Sequence, residues 1–447
     1  MRVTFYCANK HLPGIDFSEP IKGNPGCGAA EYLHVTIPFL LSKSLGNLVE
    51  PIILADNISS LPKGIKNHKV DDGIKEAASI AKKLNSDIFV FRSRIHEEES
   101  ILEVIDKLKL NSIGRAALTP SHAHQIKMSK SKYFKVLVCV GENQYYQLID
   151  SPIRKKIYHI NNGISDYLID HVSSCHTFDS RKDIVFMGSL VPQKNFHYLA
   201  KVWKLISCQI PKARLHVIGS SNTYGINSNL GKRGLAEKNY EDKFISLLDN
   251  DPISAKKVLF HGNLGLSKYK ILARSRVGIV NPLGTTETCC VSAVEMQALG
   301  IPVCTGNYES LKTTILDGTS GLLSNSEKNF VKNIVQIYRN KILFNDLSIG
   351  ARANAKLNFS FNKIIIQWYE VFYKIKMNIE IRKSFNVDKK YTKLNFLHFL
   401  RKINVFIFHD FLKIKSISVN YFLYKLKEFI RPIYKIFKKF IFKNINF

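Results

Sequence analysis

Two glutamates in an E-x7-E arrangement, Glu287 and Glu295, lie in the chemically richest stretch of this 447-residue chain, residues 281–304 (NPLGTTETCCVSAVEMQALGIPVC). A helix beginning near Cys290 carries Glu295 one turn in and leaves Glu287 in the loop before its first turn. The unpaired N–H groups of a helix start carry partial positive charge and suit a diphosphate or sugar hydroxyls. Glu287 is then placed to accept hydrogen bonds from sugar hydroxyls and Glu295 from a ribose diol. A second candidate is Lys194 in residues 184–195 (IVFMGSLVPQKN). Gly188 permits close backbone approach there, and Lys194 brings an ammonium to a nucleotide diphosphate. Two glutamates at this spacing are common on surfaces, and a lone lysine after a turn is usually solvated. The context shifts the balance: each motif sits in a strand–loop–helix unit, and the two follow one another about 100 residues apart.

The elements that must position these groups are legible as short β-branched runs alternating with helical stretches. Strand candidates are residues 3–7, 50–55, 88–91, 136–140, 157–160, 184–187, 214–218, 258–261, 277–280 and 302–305. Helical stretches include residues 32–45, 196–208, 241–248, 266–273 and 292–299. Apolar two-faced strands alternating with helices predict parallel sheets covered on both faces. Ten strands exceed one comfortable doubly wound sheet, so the expected class is α/β with two Rossmann-like domains facing a cleft. The expected domains are residues 1–172 and 173–358, followed by a final core helix over 359–374 and a basic tail over 375–447. The boundary is placed in the polar stretch 173–182.

Residues 287–304 resemble the E-x7-E signature of the retaining GT-B glycosyltransferases of family 4 (glycosyl transferases group 1), usually E-G-F-G-x-x-x-x-E-A-M-A-x-G-x-P-V. Thr288, Cys289 and Cys290 stand in place of Gly-Phe-Gly. Residues 184–195 are similar to the family's V-G-R-L-x-x-x-K-G strand-loop, with Ser189 where the family commonly has Arg. Residues 24–31 (NPGCGAAE), with Gly26 and Gly28, resemble its glycine-rich loop, which approaches the donor phosphates across the cleft. Residues 158–164 (YHINNGI) resemble the turn closing its N-terminal domain, and residues 118–124 (LTPSHAH) lie where it keeps a histidine near the transferred sugar. His122 and His124 both qualify, with His122 favoured by chain position. The resemblance implies a GT-B fold with the acceptor on the side of residues 1–172, the nucleotide sugar on the side of 173–358 and the 359–374 helix crossing back to the first domain. It implies also a nucleotide-sugar donor, no metal or other cofactor, and retention of anomeric configuration.

Charge supplies the remaining reading. The chain carries 65 Lys+Arg against 36 Asp+Glu, a net +29. Residues 375–447 hold 17 basic and 4 acidic of these, so nearly half the excess lies in the last sixth. At helical spacing Phe422, Leu426, Phe429, Ile433, Ile436, Phe437 and Phe440 fall on one side, and Lys427, Arg431, Lys435, Lys438 and Lys439 on the other. Pro432 is expected to kink this helix or start a new one. A Phe/Lys-rich amphipathic helix suits an anionic membrane surface, whereas nucleic-acid binding is disfavoured by basic residues interleaved with bulky aliphatics. Asp249-Asn250-Asp251 reads as a helix-terminating turn, and His96-Glu97-Glu98-Glu99 lacks the second histidine of a zinc helix. The eight cysteines form no C-x-x-C pair, and no P-loop motif occurs. With no export signal and no run of about 18 apolar residues, the expected location is cytoplasmic, peripheral on the inner membrane face.

The sequence therefore points to a hexosyltransferase acting on a lipid-linked or saccharide acceptor in bacterial polysaccharide biosynthesis. The alternatives are a nucleotide-sugar hydrolase or epimerase of the same fold, and a non-catalytic nucleotide-sugar-binding scaffold.

Overall fold

The computed structural model describes residues 1–93, 98–172, 177–221, 229–284, 286–308, 310–381, 396–412 and 417–444. Two parallel sheets organise it. The first has the order β3-β2-β1-β4-β5-β6-β7, built from β1 Arg2–Cys7, β2 Glu50–Ala55, β3 Lys66–Lys69, β4 Ile88–Ser93, β5 Ser112–Ala116, β6 Phe134–Cys139 and β7 Ile157–His159. The second has the order β10-β9-β8-β11-β12-β13, from β8 Asp183–Met187, β9 Leu215–Ile218, β10 Val258–Phe260, β11 Ser275–Ile279, β12 Val303–Gly306 and β13 Gly321–Ser324. Every strand pairing is parallel. These are the two Rossmann-like domains of a GT-B architecture.

Chain order reverses between β1 and β4 in the first sheet and between β8 and β11 in the second. At such switch points the loops leaving the strand carboxyl ends part to either side and open a crevice. Arg92 near the end of β4, Arg115 near the end of β5, the loop after β8 and the loop after β11 all belong to these openings.

Each sheet has its own core. Val3, Phe5, Ile53, Val90 and Val136 pack with Tyr32, Leu33 and Ile37 of the helix Ala29–Leu45. Phe361, Ile364, Trp368 and Phe372 of the helix Phe361–Lys376 complete that same first core, with Trp368 and Phe372 edge-on to Phe5. In the second domain Ile184, Phe186, Val217 and Ile279 pack with Phe196, Leu199 and Trp203 of the helix Phe196–Gln209. The sheets lie on either side of the polar stretch 173–182, whose residues 173–176 fall outside the described set.

After the crossing helix come the helix Phe396–Asn404, a π-helical turn Val405–Phe411 and the helix Val419–Asn444. The last element runs as a single helix across Pro432, where the sequence predicts a kink or a new start. The apolar and basic side chains proposed beyond Arg431 lie outside the described ones. So do His96 and Glu97 of the H-E-E-E run. The tail is seated on the first domain by polar contacts. Asp150 Oδ2 accepts from Asn404 Nδ2 (2.9 Å) and from the Val419 N–H (2.7 Å), Asn420 Nδ2 donates to Gln147 O (2.8 Å), and His398 Nε2 pairs with Asn143 Oδ1 at 3.0 Å. Beyond this seat Phe422 and Phe429 are 57% and 71% exposed, so among the described residues nothing covers this part of the last helix. Among the described residues no helix is long and apolar enough to cross a membrane.

Candidate active site

A cavity of about 530 Å³ lies between the two domains, lined by the carboxyl-end loops of both sheets. Its wall from the second domain is made by two loops and one helix. After β8 the chain passes Gly188 and Ser189 into a 3-10 turn, Pro192–Lys194, and leaves it through Asn195 in a left-handed conformation (φ 56°). Gly188 lies close to Gly219 at the end of β9, and the glycine that this approach requires is Gly219. Its φ is +129°, and a Cβ there would stand 2.1 Å from Gly188 O. The loop after β11 carries Glu287 and runs into the helix Val291–Ala298, on whose buried face Glu295 lies.

The two motifs meet directly. Lys194 Nζ donates to Glu287 Oε2 at 2.7 Å. Asn281 Nδ2 donates to the same oxygen (2.9 Å), and the Thr288 N–H donates to Oε1 (3.0 Å). Burial alone would raise the Glu287 carboxyl, but the Lys194 charge and these donors outweigh it and hold the group below its usual range. Glu287 is therefore an ionised acceptor held in a fixed orientation, with a cation beside it. Glu295 is 3% exposed, and its Oε1 accepts from Tyr269 OH (2.7 Å) and Lys268 Nζ (2.9 Å). Lys268, on the helix Lys268–Arg274, also donates to Asn24 O (2.8 Å) in the glycine-rich loop of the first domain. One lysine thus ties the second glutamate to the opposite wall.

That opposite wall contains Gly26 and Gly28. Asn24 Oδ1 accepts from the N–H groups of Gly26 (2.9 Å) and Cys27 (3.0 Å), turning the loop back on itself before the helix Ala29–Leu45. Gly26 has φ +100°, and a Cβ on it would come within 2.8 Å of Leu264 O, so the domains touch here through bare backbone. A second contact lies at the far side of the cavity. Thr288 Oγ1 donates to Ala117 O (3.0 Å), and a Cβ on Gly141 would fall 2.0 Å from Thr288 O. Cys289 and Cys290 are buried, and burial pushes both thiols up, Cys289 to about 12. They line the cavity as neutral, weakly polar groups.

Ten of the predicted site residues thus border one cavity: Gly26, Gly28, Gly188, Ser189, Lys194, Glu287, Thr288, Cys289, Cys290 and Glu295. The two histidines do not border it. Ser121 caps the helix His122–Lys130 by accepting from the His124 N–H (3.3 Å), and its Oγ lies 2.8 Å from His124 Nδ1. The His122 ring stacks on Tyr421 of the last helix, with centroids 4.0 Å apart and planes 17° apart. His122 therefore belongs to the tail's seat, in keeping with the same contacts that fix Asp150 and Asn420. Sequence reasoning missed Arg92, Arg115, Asn162 and Lys268, all of which border the cavity. Asn162 lies in the 158–164 turn, read there only as the close of the first domain, and the three charged residues lie in no recognisable motif. The signal available was a charged residue within an apolar stretch, as in residues 112–117 (SIGRAA). Asp251 Oδ2 accepts from Ser254 Oγ at the start of the short helix Pro252–Ala255, which accounts for the D-x-D as a turn. Among the described residues no three His, Cys, Asp or Glu side chains gather as a metal site.

Residues 174–354 match the family described as Glycosyl transferases group 1. Among solved structures the chain is similar to a glycosyltransferase from Rickettsia africae ESF-5 (TM-score 0.64, 16% identity, 84% of this chain and 99% of that one). It is similar also to Anabaena HepE in complex with UDP and glucose (TM-score 0.57, 12% identity, 84% and 100%). A third similar structure is sucrose-phosphate synthase from Thermosynechococcus elongatus (TM-score 0.59, 11% identity, 85% and 100%). At these identities the likeness establishes the fold. A curated relative, an uncharacterized 41.2 kDa protein in the cps region of Klebsiella pneumoniae, is 25% identical over 199 residues, which is 42% of this chain. The match spans about half (48%) of that relative's length. The match to this family over residues 174–354, together with a GT-B fold, supports assigning the chain as a transferase.

Proposed function

We propose that the protein transfers a hexose from a nucleoside-diphosphate sugar to a lipid-linked or saccharide acceptor, with retention, in the building of a bacterial surface polysaccharide. The observation that carries this reading is the Lys194–Glu287 pair at the mouth of a helix start, inside an interdomain cavity and within a group 1 domain. A glycosyl donor separates charge as it reacts: the anomeric carbon turns cationic and the diphosphate leaves as an anion. Groups prearranged for those charges lower the barrier without reorganising. In this reading Lys194 meets the leaving diphosphate, and the ionised Glu287 orients hydroxyls of the departing sugar. Glu295, with Oε1 already bonded to Lys268 and Tyr269, holds the ribose. Ser189 supplies no charge where a second cation is common in similar proteins, so Lys194 is the main positive group on the leaving diphosphate. The acceptor enters along the first domain, and retention follows from attack on the face the diphosphate leaves.

The acceptor's membrane origin is supported by the tail. The last helix is anchored beside the acceptor-side domain, and its exposed Phe422 and Phe429 accompany Lys427 and Arg431. A basic amphipathic helix of this kind lies in an anionic lipid interface. The relative from a capsule region agrees with such a role.

The deciding experiment incubates the full chain with UDP-, GDP- and ADP-hexoses and membrane-lipid or saccharide acceptors, then analyses products with and without acceptor. Transfer that is lost in Glu287→Ala and Lys194→Ala, with both variants folded, is the expected result. Full activity in either variant refutes the assignment. Acceptor-independent release of sugar would make the protein a hydrolase instead.

A further inference from the structure

Among the described residues the charged side chains that line the cavity are paired, with one exception. Lys194 faces Glu287 and Lys268 faces Glu295, while Arg92 Nη1 donates to Glu31 Oε1. Arg115 makes no ion pair among the described residues. Its Nη2 donates to the neutral amide oxygen of Asn162, and its Nη1 is buried without a hydrogen-bond partner, although the residue is only 3% exposed and borders the cavity. A buried guanidinium edge with nothing to donate to is costly, and in a native protein such a group marks a functional role, a strained site or a bound water or ion. Burial, then the neighbouring Arg92, lowers the Arg115 pKa to about 10, which leaves it charged at neutral pH.

Its position distinguishes it from the donor's cation. Arg115 stands on β5 of the first domain, and Asn162, its partner, follows β7. Both belong to the wall opposite Lys194. The Glu287–Cys290 loop reaches the end of β5 through Thr288 and Ala117, and Asn162 and Cys289 line the same cavity. Arg115 therefore belongs to the first-domain wall of the cavity that the Glu287 loop borders from the other side. We infer that the acceptor carries an anionic group, a phosphoryl or a carboxylate, received by the Arg115 guanidinium edge on the first-domain wall of the cavity. The inference rests on the donor reading given above and adds the class of the acceptor. A guanidinium presents two parallel N–H groups that match both oxyanions, whereas a neutral sugar leaves its charge unmet.

The test uses the full-length protein saturated with whichever of UDP, GDP and ADP raises its melting temperature. Inorganic phosphate, glucuronate and glucose are then titrated at constant ionic strength. Ligand binding to the folded state raises the melting temperature further. Phosphate, glucuronate or both are expected to do so and glucose not, the effective anion naming the acceptor's group. Arg115→Gln should weaken the anion's half-saturation by roughly ten- to a hundredfold, the loss of a charged hydrogen-bond partner. Asn162→Asp should do the same while keeping the arginine, because it seats a carboxylate on the guanidinium. A retained nucleotide shift shows that each variant is folded with its donor seat intact. Nucleotide stabilisation with no added anion effect, or an anion effect that survives both variants, overturns the inference alone. So does an Arg115→Gln variant that loses affinity for UDP-glucuronate but not UDP-glucose, since the anion would then belong to the donor. Failure of all three nucleotides overturns the donor reading as well.

Discussion

Replacing Lys194 by Met keeps the length of the side chain and removes its charge from Glu287. Lys194 Nζ and Glu287 Oε2 are 2.7 Å apart, with the lysine side chain 24% exposed and the glutamate 9%. Breaking a fully buried pair costs about 3–5 kcal/mol, and an exposed pair is worth about 1 or less. Here the glutamate is the buried member, and it keeps the Asn281 and Thr288 donors, so the expected loss is about 1–3 kcal/mol. The sign with pH follows from the direction of the shift. In the wild type the Glu287 carboxyl lies below its usual range, so its contribution is present above the ordinary carboxylate pKa and is lost as pH falls through the folded value. In Lys194→Met burial acts with less opposition and the carboxyl moves up. The folded variant then takes up a proton more readily than its unfolded chain. The stability gap between wild type and variant is therefore widest near neutral pH and narrows on acidification. Trp203 lies in the core of the second domain and Trp368 in that of the first, so urea unfolding by fluorescence in a Trp368→Phe background reports the second domain. A double-mutant cycle with Glu287→Gln isolates the pair. A coupling under about 0.5 kcal/mol, as for an exposed pair, or a gap that widens as pH falls, refutes the reasoning. Transfer should fall in the same variant by about a hundredfold or more.

Further outcomes follow from the same geometry. Gly141→Ala places a methyl group 2.0 Å from Thr288 O, so the domains must part, with lost transfer and a larger radius of gyration by solution scattering. Asp150→Ala removes the acceptor shared by Asn404 and Val419, and should expose the tail to limited proteolysis at unchanged melting temperature of the two domains. Truncation before Tyr421 should release the protein from vesicles containing anionic lipid, and unchanged co-sedimentation would remove the membrane role while leaving transfer intact. Ser189→Arg adds a cation to the cavity wall and should tighten nucleoside-diphosphate binding in calorimetry by about fivefold or more, as expected of a charged hydrogen bond.

The ten strand candidates all appear in the sheets because each is a β-branched or apolar run; most are buried on both faces, while β10, at a sheet edge, leaves Leu259 and Phe260 half-buried. The three absent from that reading have physical reasons. β3 is KNHK, an edge strand whose residues are mostly exposed, and β13 is a four-residue edge. β5 is fully buried, but its sequence, SIGRA, carries a serine, a glycine and an arginine. Gly114 is there because a Cβ would stand 2.9 Å from the Phe134 ring. With β5 unread, Arg115 was unread too, since its one mark, a charge within an apolar stretch, shows only once that stretch is read as a buried strand. The Lys194–Glu287 meeting was legible because each residue sits in a motif leaving a strand of the same sheet. The Lys268–Glu295 bridge was not, because it joins a helix to another through a fold-level contact. The histidines were near in sequence to the cavity, yet stacking on Tyr421 turns His122 to the tail, and Ser121 holds His124 at the start of its own helix.

The central claim is that Lys194 and the Glu287 loop close one nucleoside-diphosphate site per chain. Titration calorimetry of the full-length protein with UDP, GDP and ADP tests it directly, with Lys194→Met as the comparison. One of the three should saturate a single site, and the variant should bind it at least about tenfold more weakly. Heat-silent titrations that also give no thermal stabilisation, or equal affinity in wild type and Lys194→Met, would contradict the account.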